Sequence, residues 1–144
     1  MKFLVFLSVL GIVFLASCGK GLTTKPQISI ESITTLVPLG GDFNATLKFS
    51  DKQGDLGGAT FTAVVISKNI LPPPNGMTVD ATIQDSIPDF PNYQTGEFLF
   101  TLSNNKVHQE TLRNDSLIMK FVVTDRAGNV SDTVTSPTIV ALYQ

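Results

Sequence analysis

Phe43-Asn44-Ala45-Thr46-Leu47-Lys48-Phe49-Ser50 alternates an apolar with a polar residue at every step. Successive side chains of a β-strand point to opposite faces, so this period of two describes a strand with one buried and one wet face. Leu117, Met119, Phe121 and Val123 form a second inward face, opposite Ile118, Lys120, Val122 and Thr124. Phe61, Ala63, Val65 and Phe98, Phe100, Leu102 mark two more. Adding Gln27–Leu36, Thr78–Ile83 and Ser131–Leu142, the last bent at Pro137, brings the expected number to about seven strands. Turn residues separate them: Gly40-Gly41, Gly54 with Gly57-Gly58, Pro72-Pro73-Pro74-Asn75-Gly76, Pro88 to Pro91, and Ala127-Gly128-Asn129. Asn104 to Leu112 is the one stretch with the character of a helical turn. Short strands at this spacing predict an all-β fold, an antiparallel β-sandwich, with a closed barrel as the alternative.

The amino-terminal segment is of another kind. Met1-Lys2 is short and basic, and Phe3 to Ala16 has Ser8 as its only polar side chain. The run falls short of the ~20 apolar residues needed to cross a bilayer. It fits the apolar stretch of a secretory signal. Gly19 to Lys25 is small and polar, a flexible tether reaching at most ~25 Å when extended. The expected organisation is a cleaved signal peptide over residues 1–17, a tether over 18–25, and one domain over 26–144.

Composition excludes several classes. Ten Lys/Arg face twelve Asp/Glu without runs of either sign. Nucleic-acid binding needs clustered positive charge, so nucleic acid is not an expected partner. The chain shows no internal repeat and no low-complexity tail. Cys18 is the only cysteine, so no intrachain disulfide forms and apolar burial must hold the domain.

Three motifs carry a family resemblance. Leu15-Ala16-Ser17-Cys18 resembles the lipobox of bacterial lipoproteins, which implies lipidation of Cys18 and cleavage before it. Val123-Thr124-Asp125-Arg126-Ala127-Gly128-Asn129-Val130-Ser131 resembles the closing hairpin of bacterial immunoglobulin-like domains, where Val-x-Asp-x-x-Gly-Asn-x-Ser recurs. Phe49-Ser50-Asp51-Lys52-Gln53-Gly54-Asp55-Leu56-Gly57 resembles an Asp-x-Asp-Gly-Asp-Leu-Gly turn of small uncharacterised Bacteroidetes lipoproteins. Together the quoted motifs cover 22 of the 144 residues. They imply an immunoglobulin-like sandwich and no particular activity. Gly19 is not the Asp that retains lipoproteins in the inner membrane, and Gly19-Lys20-Gly21-Leu22 lacks an acidic surface-export run. By that resemblance the expected address is the outer membrane, on its periplasmic face.

Asp51 continues the inward alternation of Phe43 to Phe49, and Asp125 continues that of Leu117 to Val123. In a sandwich these follow the second and sixth strands, whose ends lie at one pole on opposite sides of the core. With Asp55 and Gln53 in the adjoining loop, the carboxylates are candidate ligands for Ca²⁺, which takes six to eight oxygens. Gln53 stands where related turns carry an acid, and Thr62 replaces the acid that closes an EF-hand loop. The other reading is that both aspartates bond backbone N–H groups in tight turns. The same alternation puts the incoming tether at this pole and the C-terminal end away from it.

Other candidates carry less chemistry. Gly54, Gly57 and Gly58 lack the Lys-Ser/Thr of a phosphate loop and read as turn glycines. His108, the only histidine, reads as an exposed loop residue, with no cysteine in the domain to join it in a zinc site. Pro72-Pro73-Pro74 is expected as extended polyproline II, a rigid crossover between sheets. Phe90 and Tyr93 lie in a Pro-bounded loop and are candidates for stacking on a sugar ring or a partner protein; the reading placed ahead of this is a loop pinned onto the core by Phe90. Asp85-Ser86, Asp115-Ser116 and Asp132-Thr133, each before an aliphatic residue, resemble Bacteroidetes O-glycosylation sites. Two carboxylates can hydrolyse glycosides, but no pattern here encloses a pair in a cleft. The expected function is a non-catalytic envelope lipoprotein that presents its domain for structural or protein-interaction roles, with ligand or glycan binding as the alternative.

Overall fold

A computed structural model describes residues 22–69, 81–108 and 112–143. The expected signal peptide, Cys18 and the prolines at 72–74 lie outside the described residues. One sheet holds β1 (Gln27–Ile33), β3 (Asp42–Ser50) and β6 (Thr95–Ser103) in the order β1-β3-β6, with both pairings antiparallel. The second holds β2 (Leu36–Val37), β9 (Ile139–Ala141), β7 (Asp115–Thr124), β4 (Thr60–Ser67) and β5 (Ala81–Ser86) in the order β2-β9-β7-β4-β5. A short β8 (Val134–Thr135) pairs with β7. One turn of helix, α1 (Asn104–Val107), follows β6. This strand order, with the first run divided between the two sheets, is an immunoglobulin-like β-sandwich.

The stretch that alternates in sequence alternates in space. Phe43, Ala45, Leu47 and Phe49 are buried from β3, and Leu117, Met119, Phe121 and Val123 from β7. Phe61 on β4 sits among three rings of both sheets: Phe98 at 5.4 Å, Phe100 at 4.9 Å and Phe121 at 5.9 Å between centroids. Full burial of such a side chain contributes about 1.5–3 kcal/mol, and each aromatic pair about 0.5–1.5 kcal/mol more.

Three expected runs differ in detail. Gln27–Leu36 is not one strand. Thr34 N–H still bonds Asn44 O in the first sheet (2.8 Å), whereas Thr35 O accepts from Val140 N–H in the second (2.8 Å). The chain changes sheets between these two threonines and keeps its direction, which makes β2 parallel to β9 and the sandwich not wholly antiparallel. Ser131–Leu142 splits into β8 and β9 around Pro137, which has no N–H to give a ladder. Of the strand expected over Thr78–Ile83, residues 78–80 lie outside the described residues; β5, on a sheet edge, is described over Ala81–Ser86 and runs past Ile83, where the alternation is diluted by exposure.

The poles follow from the register. β3 and β7 both end at the pole that carries Asp51 and Asp125. Gln27 pairs with Ser50, so the chain enters the domain at that pole. β9 pairs with the start of β7, and Tyr143 N–H bonds Asn114 Oδ1 at 2.9 Å, so the C-terminal end lies at the other.

Candidate metal centre

Three loops build the pole beyond Ser50 and Thr124: residues 51–59, 87–94 and 125–131. The first lies against the second backbone to backbone. Asp51 N–H bonds Gln94 O (2.8 Å), Gly58 N–H bonds Ile87 O (3.2 Å), and Ile87 N–H bonds Ala59 O (2.9 Å). The approach is close enough that a Cβ on Gly57 would fall 2.6 Å from Phe90 O. Phe90 in turn stacks on Phe49 of the core, with centroids 5.3 Å apart.

The third loop shows why its motif has those residues. Asp125 N–H bonds Asn129 O (3.0 Å), Gly128 N–H returns to Asp125 O (3.1 Å), and Gly128 has φ +89°, the left-handed region glycine occupies without strain. Asn129 donates its backbone N–H to Asp125 Oδ1 (2.7 Å) and its amide to Asp125 Oδ2 (2.8 Å). Ser131 Oγ accepts the Val123 N–H at 3.1 Å. Asp125 thus does the turn-capping work that tight turns ask of aspartate.

Asp51 does the same with only one of its oxygens. Oδ2 accepts the Asp55 N–H at 3.1 Å, while Oδ1 is buried with no hydrogen-bond partner among the described residues. The residue is fully buried, at 0% exposure. Asp55 repeats the pattern: Oδ2 accepts the Ala127 N–H from the third loop at 3.1 Å, and Oδ1 is buried without a partner. One carboxylate oxygen from each of Asp51, Asp55 and Asp125 lies within 4.8 Å of the others.

The local electrostatics are unfavourable as they stand. Lys25 pairs with Asp132, and Lys48 with Glu31 and Glu97; none of these pairs includes Asp51, Asp55 or Asp125. Arg126 donates to the Asp55 carbonyl (3.3 Å) and to Asn92 Oδ1 (3.4 Å), not to a carboxylate. Burial pushes the Asp55 carboxyl above its ordinary value; the Asp51 carboxyl, close enough to share its proton, pushes it further, and the charges of Asp125 and Asp51 add to this. Such a group of oxygens can take up either a proton or a hard cation.

The remaining sequence candidates fall elsewhere. Gln53 is exposed beside the acidic group. Tyr93 is 57% exposed and stacks on the outer side of Phe90 at 6.2 Å, so Phe90 pins the loop and Tyr93 faces solvent. His108 is half-buried rather than exposed: it stacks on Tyr143 (6.1 Å), with Nε2 3.0 Å from Arg113 O. Ser86 and Thr133 are exposed, whereas Ser116 is half-buried within β7. Sequence reading missed Asn129 as the clamp on both Asp125 oxygens. Its place four residues after an aspartate in a Gly-Asn turn was the available signal.

No family model matches the chain, and no curated protein matches it. Among solved structures it is similar to the PKD domain of an M14-like peptidase from a Thermoplasmatales archaeon, at 13% identity over 81% of this chain and 95% of that one, TM-score 0.43. A cohesin module of a family 33 glycoside hydrolase from Clostridium perfringens is 14% identical over 81% of this chain and 96% of the module, TM-score 0.38. A β-glucosidase from Listeria innocua is 10% identical over 77% of this chain but 15% of the enzyme, TM-score 0.40. The sandwich assignment rests on the strand order above rather than on these likenesses.

Proposed function

We propose that the chain is a non-catalytic lipoprotein of the bacterial cell envelope, anchored through Cys18 and presenting an immunoglobulin-like domain as a structural or protein-interaction module. The observation that carries the reading is Leu15-Ala16-Ser17-Cys18 placed directly after an export-type apolar run and just before the domain. Its geometry is consistent with close tethering. Thr23 O already accepts the Lys52 N–H at 3.1 Å, and Lys25 pairs with Asp132. Only residues 19–22 separate Cys18 from the first of these contacts, and four residues reach ~14 Å at most. The outer membrane, periplasmic face, is the address this reading assigns.

Two surface features support the non-catalytic part. A groove of about 500 Å³ along β1, β3 and β6 has Lys48 and Glu97 on its walls, and these charges pair with each other. The outer edge of β6 has no strand beside it among the described residues and exposes Leu99, which suits pairing with another protein. Glycan binding is the second reading, favoured by one observation, the exposed Tyr93 ring backed by Phe90. Feeding expressing cells a clickable fatty acid tests the first reading. The full chain takes up label and sediments with membranes, and Cys18→Ser loses both; an unlabelled wild-type chain contradicts it. Glycan-array binding that Tyr93→Ala abolishes would favour the second.

A further inference from the structure

We propose that the pole formed by Asp51, Asp55 and Asp125 binds one Ca²⁺ ion, which clasps the two sheets together at the end where the chain enters the domain. The acidic residues alone would not carry this, since tight turns use aspartate routinely. The independent observation is the unsatisfied oxygen. Asp51 is fully buried, its Oδ2 is held by the Asp55 N–H, and its Oδ1 has no partner among the described residues. Native structures rarely leave a buried carboxylate oxygen unpaired without an ion, water or functional reason. Here Asp55 Oδ1 is left in the same condition beside it.

Geometry selects the kind of ion. Ca²⁺ holds oxygens at about 2.3–2.6 Å, so two ligands on opposite sides of it are about 4.6–5.2 Å apart. The three carboxylate oxygens lie within 4.8 Å of one another, which lets all three reach one such ion with little movement. Mg²⁺ demands a near-ideal octahedron at about 2.0–2.1 Å and gives up its waters reluctantly, which three carboxylates on separate loops suit less well. Three carboxylates around a double positive charge leave one net negative charge, and waters complete the shell. The shortage of fixed ligands assigns an affinity like that of extracellular modules, with Kd on the order of 0.1–1 mM.

The ion would reinforce a join that otherwise rests on a few polar contacts, chiefly those of Arg126 and Ala127 with Asp55. Asp51 and Asp55 follow β3 of the first sheet, and Asp125 follows β7 of the second. Many sandwiches span their sheets with a disulfide, for which this domain has no cysteine pair. The proposal does not depend on the lipid anchor.

Thermal unfolding of the full chain, purified in mild detergent, tests it. With 5 mM CaCl₂ the midpoint is expected to rise by roughly 5–15 °C over that in EGTA at matched ionic strength. With 5 mM MgCl₂ the rise is smaller. Titration calorimetry gives one Ca²⁺ per chain. Asp55→Asn keeps the acceptor for the Ala127 N–H and folds, yet loses the Ca²⁺ response; Asp85→Asn, at an exposed acid on β5, keeps it. A midpoint equal in CaCl₂ and EGTA overturns the proposal, as does an undiminished Ca²⁺ response in Asp55→Asn. An equal rise with Mg²⁺ overturns the assignment to calcium.

Discussion

At the scale of single residues, Asp55 links stability to pH. Its folded pKa is raised above the ordinary 3.8 by burial, by Asp51 and by Asp125, so the folded state holds the proton more tightly than the unfolded chain. Folding therefore bears a penalty above the raised pKa, and the penalty is relieved as pH falls through that value towards 3.8. In EGTA the thermal midpoint is expected to rise on mild acidification from neutral pH; a midpoint that only falls contradicts this. Asp55→Asn removes the dependence, and because it also removes one of three clustered charges, its midpoint in EGTA equals or exceeds that of the wild type. The convergence of Asp51 and Asp125 was legible in the sequence because a period of two is local and geometric: each residue continues a buried face one step past its strand. The position of Gln53 was not. Gly54, at φ +68°, turns the chain just after it, and no periodicity survives such a turn.

At the scale of elements, the glycines and the ring cluster make separable predictions. Gly57→Ala drives a methyl into the Phe90 carbonyl and should cost about 1–3 kcal/mol in urea unfolding. Gly128→Ala meets nothing within 4 Å, so only its backbone conformation is strained and the cost is about 1–2 kcal/mol. An equal, negligible effect at both sites would contradict the loop packing described. Phe61→Ala empties the centre of the ring cluster and should cost about 3–5 kcal/mol, the largest of the three. The strong strands, β3, β4, β6 and β7, were readable because each buries a complete alternate face. The division of Gln27–Leu36 was not, since Thr34 and Thr35 are both extended and their side chains carry no mark of which sheet takes their backbone. The end of the edge strand β5, at Ser86 rather than Ile83, was hidden for a related reason: a strand exposed on most of its surface writes little hydrophobic pattern.

At the scale of the whole molecule, the proposed anchor implies an orientation. The acidic pole and the incoming chain lie at one end, Asn114 and Tyr143 at the other, and the link from Cys18 to Thr23 is short. A lipid on Cys18 would then hold the pole of Asp51, Asp55 and Asp125 against the bilayer and the far pole towards the periplasm. Because Cys18 is the only cysteine and would itself carry lipid, an introduced cysteine offers a unique labelling site. The most direct measurement is energy transfer from a donor at Gln53→Cys, or at Tyr143→Cys, to acceptor-labelled headgroups, with the full chain reconstituted in vesicles. The account predicts strong quenching of the donor at residue 53 and weak quenching at residue 143. Equal quenching at the two sites, or the reverse order, would contradict it.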